Sequence, residues 1–139
     1  MRQPNISRNF PEKPIHTHKT PSNEPLPIIV SRTITYIDEH PASDLSIKAL
    51  GKVFRYNGQY ISHRFRESMG ITLQQYIIYK RLDLSKKYLA EGYSLTNACR
   101  LSGFHNYSNF SKTFIKYVGA SPKIYQLELY SHTLYERPQ

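Results

Sequence analysis

The sequence predicts an all-α protein built as two helix-turn-helix units joined by a long helix. Three observations carry that expectation. First, residues 61–76 and 110–125 repeat one pattern at a constant offset of 49: Ile61 meets Phe110, Phe65 meets Phe114, Gly70 meets Gly119, Thr72 meets Ser121 and Tyr76 meets Tyr125. Second, apolar residues past Pro27 recur at spacings of three and four, the period of a helix with one buried face. Third, glycines and asparagines punctuate those runs where a tight turn needs them.

Taken in order, six of the nine prolines lie in the first 27 residues. Proline lacks an amide donor and blocks helix continuation, so 1–26 reads as a tail or linker. It holds an H-x-H pair, His16 and His18, with no further ligands at metal-site spacing. A first helix places Ile29, Val30, Ile34 and Ile37 on one side and stops at Pro41. Asp44 or Ser46 caps a second, with Ile47, Leu50, Val53 and Phe54 expected to share its inner face. RYNG at 55–58 is the turn, with Asn57 and Gly58 the residues that tolerate left-handed backbone. A third helix runs from about Gln59 to Met69, with Ile61, Phe65 and Met69 inward and Gly70 ending it. The long helix spans Leu73 to Ala90, apolar on more than one side. At 18 residues it measures about 27 Å, near the ~34 Å that separates successive major-groove sites. SLTNACRL and GFHN restate the second helix and its turn, Tyr107–Val118 restates the third, and a last short helix opens at Pro122. The expected boundaries are a tail at 1–26, a first unit at 27–72, a connecting helix at 73–91, a second unit at 92–130 and a tail at 131–139.

Charge narrows the function. The 139 residues carry a net +9, with pI near 9.7. Residues 45–123 hold thirteen lysines and arginines against Glu67, Asp83 and Glu91. The repeated region is therefore the basic region, and a polyanion is the expected partner. Three scattered acids cannot build a nuclease-type metal site, so an enzyme is not expected. No apolar run approaches the ~20 residues of a membrane span, and MRQPNISRNF has no apolar leader stretch, which suggests a cytoplasmic protein. One cysteine forbids an internal disulfide. No cofactor is expected.

In a helix-turn-helix the second helix of the pair enters the major groove. On helix 59–69 the outward residues are Gln59, Ser62, His63 and Arg66, hydrogen-bonding side chains suited to base edges and phosphates. On helix 107–118 they are Ser108, Lys112 and Lys116, with Tyr107 just ahead of the buried pattern and outward.

The stretch from Leu45 to Tyr76, and above all GFHNYSNFSKTF followed by GASPKIY at 119–125, resembles the AraC/XylS-type transcriptional regulators. The likeness runs from Ile29 to Gln126. It implies a tandem homeodomain-like fold that reads two successive major-groove segments of a promoter with one chain, hence a monomer on double-stranded DNA. It implies base-facing roles for Gln59, Ser62, His63, Tyr107, Ser108 and Lys112, and phosphate contacts from Arg55, Arg66, Lys80, Arg81 and Lys116. An arginine at the Arg81 position packs structurally in the alternative reading. An activator role and contact with RNA polymerase rest on the resemblance alone. The chain departs from the family at Gly51 and Cys99, where alanine is frequent, at Asn57 for serine, at Arg64 for an aliphatic residue and at Gln126 for arginine. Gly51 should weaken its helix by roughly 1 kcal/mol relative to alanine. Many family members carry a sensory domain ahead of this region; 26 proline-rich residues cannot build one. The chain is thus a stand-alone binder or part of a larger regulator, and Met1 favours the first.

The plainer readings stand beside these. Cys99 is a small core residue without a partner base, and Phe65, Phe104, Phe110 and Phe114 are core rather than a stacking platform. His63 could be a solvated surface histidine. The serious rival to a DNA-binding regulator is a protein-interaction antagonist of a related regulator. That rival predicts neutralised recognition helices.

Overall fold

A computed structural model describes residues 26–136, with side chains through His132. Apart from Leu26, the proposed tail at 1–26, with its His16/His18 pair, lies outside them. The described residues form seven helices: α1 (Ile28–Glu39), α2 (Ile47–Phe54), α3 (Gly58–Met69), α4 (Leu73–Ala90), α5 (Leu95–Leu101), α6 (Tyr107–Val118) and α7 (Pro122–Glu136). They fall into two compact units that divide within α4, between Arg81 and Leu82. The connecting helix thus donates its first half to one core and its second half to the other.

In the first unit, one face each of α1 and α3, with Leu50 of α2 and the start of α4, closes around Ile34, Ile37, Leu50, Ile61, Phe65 and Tyr76. Burying side chains of this size contributes ~1.5–3 kcal/mol apiece. The caps locate the helix starts. Ser46 accepts a hydrogen bond from the Ala49 amide, and Asn57 accepts one from Gln59. Thr72 and Gln75 form a reciprocal capping box at α4, each side chain bonding the other's amide at 3.0 Å. Gly70 ends α3 in the left-handed conformation, at φ 77°. The Tyr76 hydroxyl donates to Asp38 Oδ1 at 2.7 Å, so even the polar end of this buried ring has a partner.

In the second unit α6 packs on α5 and on the start of α7, and α7 reaches the end of α4 through Gln126 at the Leu89 carbonyl. Phe104, Phe110, Phe114 and Tyr125 form a chain of tilted and edge-on rings with centroids 4.9, 5.6 and 5.4 Å apart. Such geometry matches ring edges to ring faces and adds ~0.5–1.5 kcal/mol per pair beyond burial. Ser94 and Asn106 cap α5 and α6, and Gly119 ends α6 at φ 94°. Gln126 donates its amide to the Tyr93 carbonyl at 2.8 Å and so ties α7 to the turn after α4.

Four expectations need correction. The left-handed residue of the first turn is Arg55, at φ 59°, while Asn57 is extended and caps α3. Ile47 and Val53 are 40% and 45% exposed, so α2 buries only Leu50 fully and Phe54 in part. Ile47 and Val53 stand at the rim of α2's packing: Ile47 lies against Gly58 of α3 and still keeps part of its side chain in solvent. Gly51 is not a loss to α2. A Cβ there would stand 2.8 Å from the Tyr56 carbonyl oxygen, inside van der Waals contact. Finally, α7 runs to Glu136 rather than ending near 130, since nothing between Pro122 and Glu136 breaks a helix.

The two units also differ in register. The caps of α2 and α5 are 48 residues apart (Ser46, Ser94), but those of α3 and α6 are 49 apart (Asn57, Asn106). From cap to cap, the helix-plus-turn segment of the second unit is one residue longer. At the offset of 48, Arg55 matches Gly103, and both are left-handed. The extra residue follows that point. With it, the second unit carries side chains, Cys99 and Tyr107, where the first has Gly51 and Gly58.

Candidate nucleic-acid interface

The α3 row comes first. Asn57 fixes the start of the helix, and Ile61 and Phe65 fix its rotation, because both are buried. Gln59, His63 and Arg66 are then exposed and Ser62 half-buried, at helical spacings of three and four, in one stripe. Glu67 lies beside this stripe. Its carboxylate accepts from Arg64 Nη1 at 2.7 Å and stands 3.8 Å from His63 Nε2. Arg64 is thereby held along the helix, with its Nε buried and lacking a hydrogen-bond partner. The acid lowers the positive potential of α3 next to its outer row.

On α6, the anchors Phe110, Phe114 and Val118 leave Ser108, Lys112, Ile115 and Lys116 exposed. No acid occurs on this helix. Tyr107 is 39% exposed at its start, its ring edge-on to Phe110 at 5.7 Å. Burial, and secondarily the neighbouring Cys99, push its hydroxyl pKa up, so the phenol stays a neutral donor and acceptor. Lys116 lies over the Tyr117 ring at 5.3 Å. Cys99 is buried with its thiol pKa pushed up by desolvation, and Sγ lies 3.7 Å from the Phe104 carbonyl. Both features fit an inert core residue.

The phosphate candidates divide. Arg55 and Arg66 are exposed, with no ion pair among the described residues. Arg81 is half-buried. Its Nε donates to the Pro41 carbonyl at 2.9 Å and its Nη2 to the Ser43 carbonyl at 2.8 Å, clasping the α1–α2 loop. Burial lowers its pKa, partly offset by Asp44. Lys80 has its Nζ 3.3 Å from Asp38 and over the Tyr76 ring. These two side chains serve the first unit's own loop and core, as the packing alternative for Arg81 had it.

Sequence reasoning took Gly58 only for a turn residue; it opens α3, and the crossing of α2 and α3 rests on it. A Cβ there would overlap the Cγ2 and the carbonyl of Ile47. Sequence reasoning passed over Tyr56 and Tyr60, exposed and stacked 5.6 Å apart beside the α3 row. Gly58 was legible in principle as the residue that falls between a cap and an apolar helix. The tyrosine pair was not, because a four-residue spacing across a turn predicts no contact. No group of three or more potential metal ligands occurs among the described residues, and no described helix is long and apolar enough to cross a membrane.

Two small helical frames, each with its second helix turned polar side outward, define a tandem helix-turn-helix DNA-binding domain. A family profile described as a helix-turn-helix domain matches residues 50–127. The HTH-type transcriptional regulator YobQ of Bacillus subtilis (strain 168) is 36% identical over 100 residues, covering 71% of this chain and 42% of YobQ. The melibiose operon regulatory protein of Escherichia coli (strain K12) is 30% identical over 115 residues, 82% of this chain and 38% of that protein. The C-terminal domain of AraT, a response regulator from Geobacillus stearothermophilus, shares the fold at a TM-score of 0.70 and 24% identity, covering 75% of this chain and 88% of that one. The chain belongs to the AraC/XylS family of transcriptional regulators. It spans about two fifths of the length of these two curated relatives.

Proposed function

We propose that the protein is a sequence-specific double-stranded DNA-binding regulator, working in the cytoplasm as a monomer. In this reading α3 and α6 enter successive major-groove segments. Gln59, Ser62 and His63 face bases from the first, and Tyr107, Ser108 and Lys112 face bases from the second. Arg55, Arg66 and Lys116 neutralise phosphates. Activation of transcription, with RNA polymerase as a second partner, belongs to the same proposal.

The single observation that carries it is the contrast between inner and outer rows. Inward residues of α3 and α6 match pair by pair (Ile61 with Phe110, Phe65 with Phe114), whereas outward ones differ and are polar or basic on both helices (Gln59 with Ser108, His63 with Lys112) except at Arg66, whose counterpart is Ile115. A shared frame with distinct outer rows suits the reading of two different short sequences. A protein-interaction antagonist would have no use for exposed lysines on a helix without acids. The test is salt. Neutralised phosphates release counterions, so log affinity for a selected duplex should fall linearly with log salt, with a slope of about −0.9 per phosphate contacted. An affinity flat from 50 to 200 mM salt, roughly the range over which that release is read, would rule DNA out as the partner.

A further inference from the structure

Ile115 is 47% exposed in the middle of the α6 outer row. It lies three residues after Lys112 and seven after Ser108, so the helical period places it in the same stripe as both. Its counterpart in α3, at the offset of 49, is Arg66. Where the first row has a cation, the second therefore has a branched aliphatic side chain. Rotamer slack does not explain it as core. Phe114 and Val118 on the same helix are wholly buried, and the α6 rotation that buries them turns Ile115 out.

In the major groove one base-pair feature is apolar, the 5-methyl group of thymine. A lysine or arginine seeks guanine or phosphate; an isoleucine can gain only by covering a methyl. We propose that Ile115 makes the second unit thymine-selective, by packing its side chain against a thymine 5-methyl at one position of the second half-site. The inference rests on the DNA-binding reading above and names what that helix reads. Lys112, one turn away, then addresses an adjacent base edge or phosphate, so apolar and charged readout alternate along the stripe.

The test uses the full chain and a duplex selected from random DNA. Each thymine is replaced in turn by deoxyuridine, which removes only the methyl. Wild-type affinity should fall about fourfold at one position of the second half-site, the effect of losing one buried methyl. Ile115→Ala should bind the thymine and deoxyuridine versions equally at that position. Ile115→Arg, copying the twin row, should also lose the distinction while steepening the salt dependence. Because Ile115 is exposed, both variants should keep the wild-type melting temperature. Two outcomes would overturn the assignment: deoxyuridine tolerated at every position by the wild type, or the same loss persisting in Ile115→Ala. Failure to select any duplex would instead sink the DNA-binding reading itself, and this one with it.

Discussion

Gly58 and Ile47 touch backbone to side chain: a single added carbon on Gly58 would overlap both the Cγ2 and the carbonyl of Ile47. The α2–α3 angle in the first unit thus depends on the missing side chain at Gly58, with Gly51 giving similar clearance to the Tyr56 carbonyl. Gly58→Ala should destabilise the first unit by about 3 kcal/mol, the upper range for overpacking against atoms that cannot move aside. Gly51→Ala has two opposed effects. Propensity favours alanine by ~1 kcal/mol, and the 2.8 Å approach to backbone costs more. A net loss of about 1 kcal/mol is expected in urea unfolding, and a gain would show that the turn can give.

Arg55 holds a left-handed conformation at φ 59°, where the matching position of the second unit has Gly103. Non-glycine residues pay roughly 1–2 kcal/mol there, part of which glycine's greater freedom when unfolded cancels. Arg55→Gly should raise stability by about 0.5–1 kcal/mol. If Arg55 also meets a phosphate, the same variant should bind all DNA sequences more weakly and lower the salt slope by about one. Calorimetry and binding at several salt concentrations separate the two effects.

Arg81 clasps the Pro41 and Ser43 carbonyls. Arg81→Met keeps the alkyl stem and removes both charge-assisted bonds, which should cost about 2 kcal/mol of stability. The salt dependence of DNA binding should stay as in the wild type, measured well below the melting point. A shallower slope with unchanged stability would return Arg81 to the phosphate contacts.

Lys112 stands on a helix free of acids, whereas His63, its twin, stands 3.8 Å from Glu67. Lys112→Ala should weaken a selected duplex by roughly 1–3 kcal/mol more than random DNA. Equal losses on both would make it a phosphate contact. Glu67→Gln should strengthen binding of every sequence modestly, because it removes a carboxylate beside the first row.

Most of this architecture was written locally. Gly70 and Gly119 end their helices because only left-handed backbone closes them there, and the 3–4 spacing of Ile61, Phe65 and Met69 or Phe110, Phe114 and Val118 sets each rotation. Those two facts alone place the outer rows. What escaped the sequence was relational. Whether Ile47 is inner or outer depends on where α3 crosses α2, and whether Gly51 weakens or permits depends on how near Tyr56 comes. For Arg81 the sequence left phosphate contact and packing both open, because its partners, two carbonyls some forty residues earlier, carry no signature in side-chain type. The one-residue difference between the two cap-to-cap segments is hidden by the exact repeat that follows it, and shows only when the caps Ser46 and Ser94 are aligned.

The central claim is that one chain carries two reading heads, and selection of bound duplexes from a random library tests it most directly. Two short conserved blocks with centres about 10–10.5 base pairs apart are predicted, the second containing a thymine. A single short block, however strongly selected, would mean that only one of α3 and α6 reads bases.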